Sequence, residues 1–423
     1  MLTSIVGINW GDEGKGRMVD LLSQDQDIVV RYQGGNNAGH TVVNDRGKFI
    51  LNLLPSGILR PEVVCVMGNG MAIDLAHLDR EISALREKGI RITPDNLKIS
   101  DRAVLTLPCH VRLDCLEEAR LAGEAYGSTR RGIAPVYSDK YAKKCIRMGD
   151  LLDPAYLAHR LKGIVEFKSL MIEGVYHSDP VDYDETLAWL TRYGEIFKDY
   201  ITDTGIYLTE AHNAGKRILF EAQLGALRDI DFGIYPYTSS SSTIAAYAPI
   251  GAGVPGLKLD RTIGIMKAYS SCVGEGPFTV EWFGPEGDAL RNAGGEFGAA
   301  TGRPRRVGPF DAVASRYGVR VQGADEIALT KLDILSGMES IPICTAYDVD
   351  GKTVTDFPMG EALNIAKPVY EYIPGWKCDI SGCRKKEDLP KACRDYIDRL
   401  QELTCSRITY VSVGADRDAY LLY

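Results

Sequence analysis

The stretch that decides the fold is MLTSIVGINWGDEGKGRMVD, residues 1–20. A short β-rich run, TSIVGIN, leads into a glycine loop, and GKGRMVDLLSQ then has the apolar spacing of a helix. The loop is close to the phosphate-binding pattern G-x-x-x-x-G-K-[ST], but Asn9 replaces the first glycine and Gly16 replaces the hydroxyl residue that binds Mg²⁺. The order of strand, loop and helix predicts an anion site at the helix N-terminus; a tight turn without a ligand is the alternative.

Composition and charge limit the classes of function. The 423 residues are 45% hydrophobic and 25% charged with a net charge of −8, which gives no support to nucleic-acid binding. No apolar run reaches the roughly 18 residues of a membrane helix, and no signal peptide is visible, so we expect a cytoplasmic protein without a membrane partner. The ten cysteines lack zinc-like spacing, which favours reduced thiols.

Six further segments have the form of an apolar strand that ends in a polar or glycine-rich tip: DIVVRYQGG, EVVCVMGNG, RILFEAQLG, RTIGIMKAYS, EIALTKLDIL and RITYVSVGA. Helical stretches such as AHLDREISALREKG and ETLAWLTRYGEIFKDYITDTGIYLTEAHNAGK lie between them. This alternation predicts an α/β fold with a large, mostly parallel central sheet and helices on both faces. We expect one domain over residues 1–423, with a helical insertion at about 100–215.

The polar tips are the candidate site, because ligands of such sheets bind at the carboxyl ends of the strands. Asp12 lies inside the loop expected to attract an anion, where a carboxylate is repulsive unless it binds Mg²⁺ or acts as a general base. His40 follows glycines in RYQGGNNAGHT, residues 31–41. Its imidazole could donate to phosphate oxygens, and with Asp12 it forms a candidate acid/base couple.

Two more tips carry charged residues. GAATGRPRRVG, residues 298–308, has three arginines that suit carboxylates and phosphates, although a solvated basic turn is the simpler interpretation of such a cluster. In TKLD, residues 330–333, Asp333 could accept from a guanine ring while the stem of Lys331 packs on its face. An ordinary junction of strand and turn is the alternative for TKLD.

Together these motifs resemble those of one family. WGDEGKG, RYQGGNNAGHT, LPSGIL, GNG, DIDFGIYPYTSSSST, KAYSSCVGEGPF, EFGAATGRPRR, TKLD and SVGADR occur in the order and roughly at the spacing seen in adenylosuccinate synthetases, from about residue 3 to residue 417. The resemblance implies a homodimeric ligase with a P-loop-like GTP site. Such an enzyme joins L-aspartate to C6 of IMP through a 6-phosphoryl intermediate and releases adenylosuccinate, GDP and phosphate.

The resemblance also implies a role for individual residues. Asp12 would remove the N1 proton of the purine and bind Mg²⁺ together with the carbonyl of Gly39, and His40 would stabilise the transferring phosphoryl group. The residues implied for GTP are Gly14, Lys15, Gly16, Gly39, Thr41, Arg305, Lys331, Asp333, Ser412 and Gly414. Those implied for the acceptor nucleotide are Asn37, Thr129, Lys143, Leu224, Ser239, Val273 and Arg303, with Lys143 reaching the neighbouring subunit's site. Those implied for aspartate are Ala299, Thr301, Arg303 and Arg305.

The chain departs from the family mainly around the acceptor nucleotide. The family usually reads F-E-G-A-Q-G where this chain has FEAQLG, residues 220–225, so Leu224 replaces a glutamine that touches the purine, and Gln223 lies one position early. Arginines of the family are replaced by Lys143 and Cys272. Other departures are Arg130, Ala134, Ala300 in place of a threonine, and Ala415 in place of a proline.

Two interpretations of these departures stay open at this point. In one, the acceptor is IMP and the pocket compensates elsewhere, for example through Gln223 or Arg130. In the other, the same chemistry acts on another purine nucleotide, a related oxo-heterocycle or a different amino acid. Phage relatives that act on a 2-aminopurine nucleotide lack the aspartate matching Asp12, which argues against that particular variant. A non-catalytic GTP-binding protein is disfavoured because a binder needs neither Asp12 nor His40.

Overall fold

The computed structural model of the chain describes residues 1–44, 47–298, 302–416 and 418–423. Its helices are α1 (Lys15–Leu22), α2 (Leu75–Glu87), α3 (Pro108–Leu121), α4 (Ile133–Ala142), α5 (Pro154–Tyr176), α6 (Tyr183–Phe197), α7 (Thr204–Asn213), α8 (Ala248–Ala252), α9 (Gly284–Gly294), α10 (Ala312–Gln322), α11 (Glu361–Asn364) and α12 (Lys391–Thr404). Its strands are β1 (Leu2–Gly7), β2 (Ile28–Arg31), β3 (His40–Asn44), β4 (Gly47–Leu51), β5 (Val64–Met67), β6 (Ala72–Ile73), β7 (Leu97–Ser100), β8 (Val104–Leu105), β9 (Ile201–Thr202), β10 (Ile218–Glu221), β11 (Arg261–Lys267), β12 (Ser270–Cys272), β13 (Arg306–Gly308), β14 (Phe310–Asp311), β15 (Glu326–Thr330), β16 (Ser340–Val349), β17 (Lys352–Val354), β18 (Lys367–Pro374), β19 (Ile408–Ser412) and β20 (Tyr420–Leu422).

Ten of these strands form one sheet, in the order β20-β19-β15-β11-β1-β10-β2-β5-β7-β9. β1 lies near the middle, where Ile5 is opposite Glu221 of β10 on one side and Ile263 of β11 on the other. The pairs from β19 to β9 are parallel, and β20 runs antiparallel to β19 at one edge. The prediction of a large, mostly parallel sheet is confirmed.

Both faces of the sheet are covered, because side chains along each central strand alternate between two hydrophobic cores. Ile5 of β1 packs in one core with Val19 of α1, whereas its neighbour Val6 packs in another core with Leu208 of α7. A third core joins β15 and β19 to α12. Buried strands of this kind read as continuous apolar runs, which is why seven of them could be recognised from sequence.

The stretch at 100–215, expected to be a helical insertion, contains α3 to α7. The helical segment predicted at 185–216 is wrong in its middle. Ile201 and Thr202 leave the helix and pair with Ile99 and Ser100 of β7, which adds the last strand of the sheet. Asp203 then caps a new helix, α7, by accepting a hydrogen bond from the backbone nitrogen of Ile206 at 3.0 Å.

The polar tips meet at one edge, because β1, β2, β10, β11, β15 and β19 are parallel and end there. A separate hairpin, β3–β4, begins at His40 opposite Leu51 and was missed in the sequence. A smaller sheet of β14, β16, β17 and β18 was missed as well. In the ranges described above, we find no helix with both the length and the apolar surface needed to span a bilayer.

Candidate active site

The loop between β1 and α1 is shaped by its glycines. Gly14 has φ 98°, a left-handed conformation that lets α1 begin directly at Lys15. A Cβ atom at Gly16 would lie 2.9 Å from Cβ of His40 and 3.3 Å from the carbonyl oxygen of Thr41. The first turn of α1 therefore packs directly on the start of β3. This close approach explains why position 16 lacks the hydroxyl of the usual phosphate-binding pattern.

Lys15 is held by a residue that the sequence analysis missed. Its ammonium lies 2.6 Å from Oε2 of Glu13, and both side chains are buried. Oε1 of Glu13 accepts from the backbone nitrogens of Asn9 at 3.1 Å and of Gly11 at 2.8 Å. Glu13 thus sets the shape of the loop and orients its cation. An acid two residues before the lysine was the available signal in the sequence.

Asp12 and Arg305 are brought together from distant parts of the chain. Oδ2 of Asp12 lies 3.1 Å from Nε of Arg305, and the carboxylate side chain is 34% exposed. Asp12 has φ 59°, a left-handed conformation that is uncommon for a residue with a side chain. The carboxylate therefore stands at the surface of the phosphate loop with a guanidinium beside it.

Glu296, also missed in the sequence, organises the cations on that side of the site. Its Oε1 accepts from Nζ of Lys267 at 2.8 Å and from the hydroxyl of Tyr269 at 2.5 Å, and its Oε2 accepts from Nη1 of Arg305 at 2.8 Å. Nζ of Lys331 lies 3.4 Å away. Burial would raise the pKa of Glu296, but Lys267, Lys331 and Arg305 hold that pKa well below its ordinary value. The ionised carboxylate fixes two residues predicted to contact GTP.

His40 is oriented by a buried carboxylate. Its Nδ1 is hydrogen-bonded to Oε1 of Glu221, which also accepts from the hydroxyl of Ser56 at 2.7 Å, while Oε2 accepts from the backbone nitrogen of Ser56 at 2.7 Å. Burial lowers the pKa of His40, although Glu221 acts to raise it. Because a carboxylate can only accept a hydrogen bond, the contact with Glu221 assigns a proton to Nδ1. Within the described part of the chain Nε2 has no hydrogen-bond partner, although it is buried.

The loop that leads to His40 rests on Gln223. The Gln223 side chain is fully buried, and its Nε2 donates to the carbonyls of Gly35 at 3.0 Å and Ala38 at 3.3 Å. A Cβ atom at Gly34 would lie only 1.7 Å from Oε1 of Gln223. Gln223 therefore holds the second glycine loop, residues 31–41, through hydrogen bonds to its backbone.

Leu224 points elsewhere. It lies beyond the end of β10 with φ 62°, and its Cδ2 would be 3.6 Å from a Cβ placed on Gly11. Leu224 thus lies beside the phosphate loop and is partly exposed, while Gln223 is enclosed.

The expected guanine readers are joined to the phosphate loop by Arg17, another residue missed in the sequence. From the first turn of α1, Nη1 of Arg17 donates to Oγ of Ser412 at 2.5 Å and to the carbonyl of Gly414 at 2.6 Å. Burial raises the pKa of Asp333, which Lys331 and Arg17 act to lower. One arginine therefore connects the two ends of the predicted GTP site.

The residues predicted for the acceptor nucleotide lie on several loops. Oδ1 of Asn37 accepts from the backbone nitrogen of Gly35 at 3.2 Å, and Val273 is 40% exposed. Thr129 is exposed, and Lys143 is exposed at the C-terminal cap of α4. The positions predicted for aspartate, Ala299 and Thr301, lie outside the described residues, as does Ala300.

The chain is similar to known proteins in both sequence and structure. The family model described as adenylosuccinate synthetase matches residues 4–421. An adenylosuccinate synthetase from Streptococcus gordonii is 46% identical over 415 residues, which cover 98% of this chain and 96% of that protein. The fully ligated adenylosuccinate synthetase from Plasmodium falciparum has a TM-score of 0.93 at 33% identity, with coverage of 100% and 99%.

A succinoaminodeoxyadenylate synthetase of cyanophage S-2L, bound to dGMP and dATP, is a more distant match. Its TM-score is 0.61 at 20% identity, with coverage of 100% of this chain and 95% of that one, which is a likeness of fold alone. The resemblance inferred from the motifs and the prediction of a C–N-forming ligase are both confirmed by the family match and the Streptococcus relative. The chain belongs to the adenylosuccinate synthetase family.

Proposed function

We propose that the protein joins L-aspartate to C6 of IMP with GTP as the energy source, and that Asp12 and His40 carry out the chemistry. The observation that carries this assignment is the contact between the phosphate loop and His40 at Gly16. It brings the loop that contains Asp12, the proposed base, next to a histidine that a carboxylate orients. A protein that only binds GTP has no use for that combination.

Asp12 is the proposed base. Its carboxylate would take the proton from N1 of the purine, which makes O6 a stronger nucleophile toward the γ-phosphorus of GTP. Arg305, 3.1 Å from Oδ2, would orient the carboxylate. The resulting 6-phosphoryl nucleotide has a good leaving group at C6, and the amino group of aspartate displaces phosphate there. Positioning of the two reactants supplies much of the rate.

His40 is the proposed stabiliser of the transferring phosphoryl group. Because Nδ1 donates to Glu221, its Nε2 is the nitrogen left to meet a ligand. A proton that reaches Nε2 would create an imidazolium next to the Glu221 carboxylate. That cation could hydrogen-bond the oxygens of the phosphoryl group, where negative charge is spread in the transition state.

The residues present fit Mg²⁺. The carboxylate of Asp12 and the carbonyl of Gly39 are both hard oxygen donors, and the partly exposed Asp12 keeps an oxygen available beside the phosphate loop. The bound ion would neutralise charge on the GTP phosphates. Lys15, oriented by Glu13, would add a second positive charge there.

The remaining assignments follow the same pattern. Asp333, Lys331, Ser412 and Gly414 would read guanine, and Arg303 and Arg305 would hold the carboxylates of aspartate together with Thr301. Lys143, exposed at the end of α4, would serve the neighbouring subunit of a homodimer. We place the enzyme in the cytoplasm. Residues 1–423 would form a single domain, since Ile5 of the sheet shares a core with Leu161 of the insertion.

The test is phosphate release from GTP in the presence of Mg²⁺, aspartate and IMP, with each component omitted in turn and the product weighed by mass spectrometry. We expect release that depends on every component and a product with the mass of adenylosuccinate. Turnover with another purine nucleotide but none with IMP would refute the proposed acceptor. GTP binding without any phosphate release would refute the proposed catalysis.

A further inference from the structure

Arg228 is a buried arginine whose hydrogen-bond acceptors are all uncharged. It lies at the end of a short 3-10 turn after β10 and is 8% exposed. Its Nη2 donates to Sγ of Cys272 at 3.0 Å and to the carbonyl of Val273, and its Nη1 donates to the carbonyls of Tyr237 and Glu275. None of these partners neutralises the guanidinium. A buried charge held in this way costs free energy, which calls for an explanation.

The loop Val273–Gly276 is held by two guanidinium groups in alternation. Arg228 binds the carbonyls of Val273 and Glu275. Nη1 of Arg306 binds the carbonyls of Gly276 at 2.7 Å and of Gly274 at 3.5 Å, and Nε of Arg306 is fixed by Glu281 at 2.7 Å. All four successive carbonyls of the loop therefore point to an arginine, which leaves the loop little conformational freedom.

Arg228 and the same loop contact several segments that we assign to the acceptor nucleotide. The backbone nitrogen of Ser239 donates to the carbonyl of Arg228 at 2.8 Å. Nη2 of Arg303 lies 3.2 Å from Oε1 of Glu275. A Cβ atom on Gly127, in the segment that carries Thr129, would be 3.3 Å from Cγ of Glu275. Arg228 thus contacts Ser239 through its backbone and the loop Val273–Gly276 through its side chain, both of which belong to the proposed pocket.

Cys272 lies directly beside the guanidinium of Arg228. Position 272 supplies only a small thiol, which is 2% exposed. Arg228, in the turn after β10, brings a guanidinium to within 3.0 Å of the thiol. The positive charge beside this loop therefore comes from the turn after β10, because β12, Ser270–Cys272, carries no charged side chain.

We propose that Arg228 is a positioning residue for the acceptor nucleotide, and that it supplies from position 228 the guanidinium that Cys272 lacks. The inference rests on the proposed function, because it takes Ser239, Val273 and Arg303 as lining the acceptor site. Arg228 acts by fixing the loop Val273–Gly276 and makes no contact with the reacting atoms.

The experiment compares the wild type with Arg228→Leu, Arg228→Lys and the double variant Arg228→Leu/Cys272→Arg. We measure the dissociation constants of IMP and GTP by calorimetry, the KM of each, and hydrogen–deuterium exchange of the peptide that contains Val273–Gly276. Arg160→Leu is the matched control, since Nη2 of Arg160 also donates to the carbonyl of a cysteine, Cys145, at 2.7 Å, but within the helical insertion.

We expect Arg228→Leu to weaken IMP binding at least tenfold, to change GTP binding less than twofold and to speed exchange of the loop. Arg228→Lys keeps the charge but cannot bridge the carbonyls, so about a fivefold loss is expected. The double variant should recover IMP binding to within threefold of wild type, and Arg160→Leu should change neither ligand. Arg228→Lys keeps the test decisive if the leucine variant does not fold.

Two results would overturn the inference and are distinguishable from failure of the proposed function. If wild type binds and uses IMP but Arg228→Leu and Arg228→Lys do so equally well, the function stands and the positioning role of Arg228 is wrong. If the variants lose IMP and GTP binding equally, and Cys272→Arg restores neither, Arg228 serves general stability only. Absence of IMP binding in the wild type itself would refute the function. Faster hydrogen–deuterium exchange of Val273–Gly276 in Arg228→Leu would still show that Arg228 fixes this loop.

Discussion

Replacing Glu221 by glutamine tests whether His40 depends on its carboxylate. In the wild type one oxygen of Glu221 faces Nδ1–H of His40 and the other faces the backbone N–H of Ser56. A glutamine amide offers one acceptor and one donor in those two places. Whichever way the amide turns, a donor meets a donor, unless the imidazole moves its proton to Nε2.

The expected loss of kcat in Glu221→Gln follows from the interactions that the variant loses. The variant loses a charge-assisted hydrogen bond of about 1.5–3 kcal/mol and the stabilisation of a positive charge on His40. If about 3 kcal/mol of this is felt in the transition state, kcat falls roughly 10²-fold. Because Glu221 acts to raise the pKa of His40, protonation of Nε2 in the variant should need a lower pH. The KM for IMP should change little.

The assay is steady-state phosphate release at saturating GTP, aspartate and IMP across about pH 5.5–9. This range brackets an ordinary imidazole pKa. Glu81→Gln is the control, since Glu81 is a buried glutamate of the same region that accepts from the backbone nitrogens of Asn52 and Leu53, each at 2.9 Å, rather than from His40. A kcat of Glu221→Gln within threefold of the wild type, in a folded protein, would refute the role of the pair.

Four other changes give separate tests. Asp12→Asn should reduce turnover by at least about 10²-fold while GTP still raises the melting temperature, and normal turnover would remove the proposed base. Asp333→Asn should weaken the preference for GTP over ATP by about 2 kcal/mol, roughly thirtyfold in the ratio of kcat/KM; unchanged selectivity would contradict the guanine assignment. Leu224→Gln should shift the kcat/KM ratio between purine acceptors by about fivefold, one neutral hydrogen bond, and identical values for every acceptor would show that position 224 does not face the purine. Burial raises the pKa of Asp311 to about 6, so this carboxyl favours folding at low pH and loses that contribution as the pH rises through 6. Relative to wild type, Asp311→Asn should therefore gain about 2–3 kcal/mol of unfolding free energy between pH 4 and pH 7.5 in urea melts, and parallel stability curves would contradict the shift.

The strands of the central sheet could be predicted because each is buried on two faces and ends in a recognisable tip. β9 could not, since Ile201 and Thr202 become a strand only by pairing with β7, a contact that local sequence does not contain. The hairpin from His40 was missed for a related reason. The pairing of His40 with Leu51 fixes the position of the histidine. The sequence of the two strands, however, shows no strong alternation of apolar and polar residues that would have predicted them.

The candidate site divides in the same way. Asp12, Lys15 and His40 stand in glycine loops, where polar residues are conspicuous. The carboxylates that orient Lys15 and His40 are Glu13 and Glu221, and Glu221 comes at the end of an apolar strand where a charge looks out of place. Arg17 and Arg228 contact partners 395 and 44 residues away in the chain, and Glu296 contacts Lys267, 29 residues away. Pairings of this kind depend on the fold, so the sequence alone could not reveal them.

The tight fit between Gln223 and Gly34 has an evolutionary consequence. A side chain at position 34 would collide with the glutamine amide, so neither residue can change freely while the other stays. Placing a glutamine at position 224 alone leaves this fit untouched, whereas placing the whole order F-E-G-A-Q-G of the resembled family at 220–225 would remove the amide that supports Gly35 and Ala38. A glutamine at position 224 can therefore be introduced by one substitution, whereas the order F-E-G-A-Q-G can be introduced only if the second glycine loop adapts at the same time.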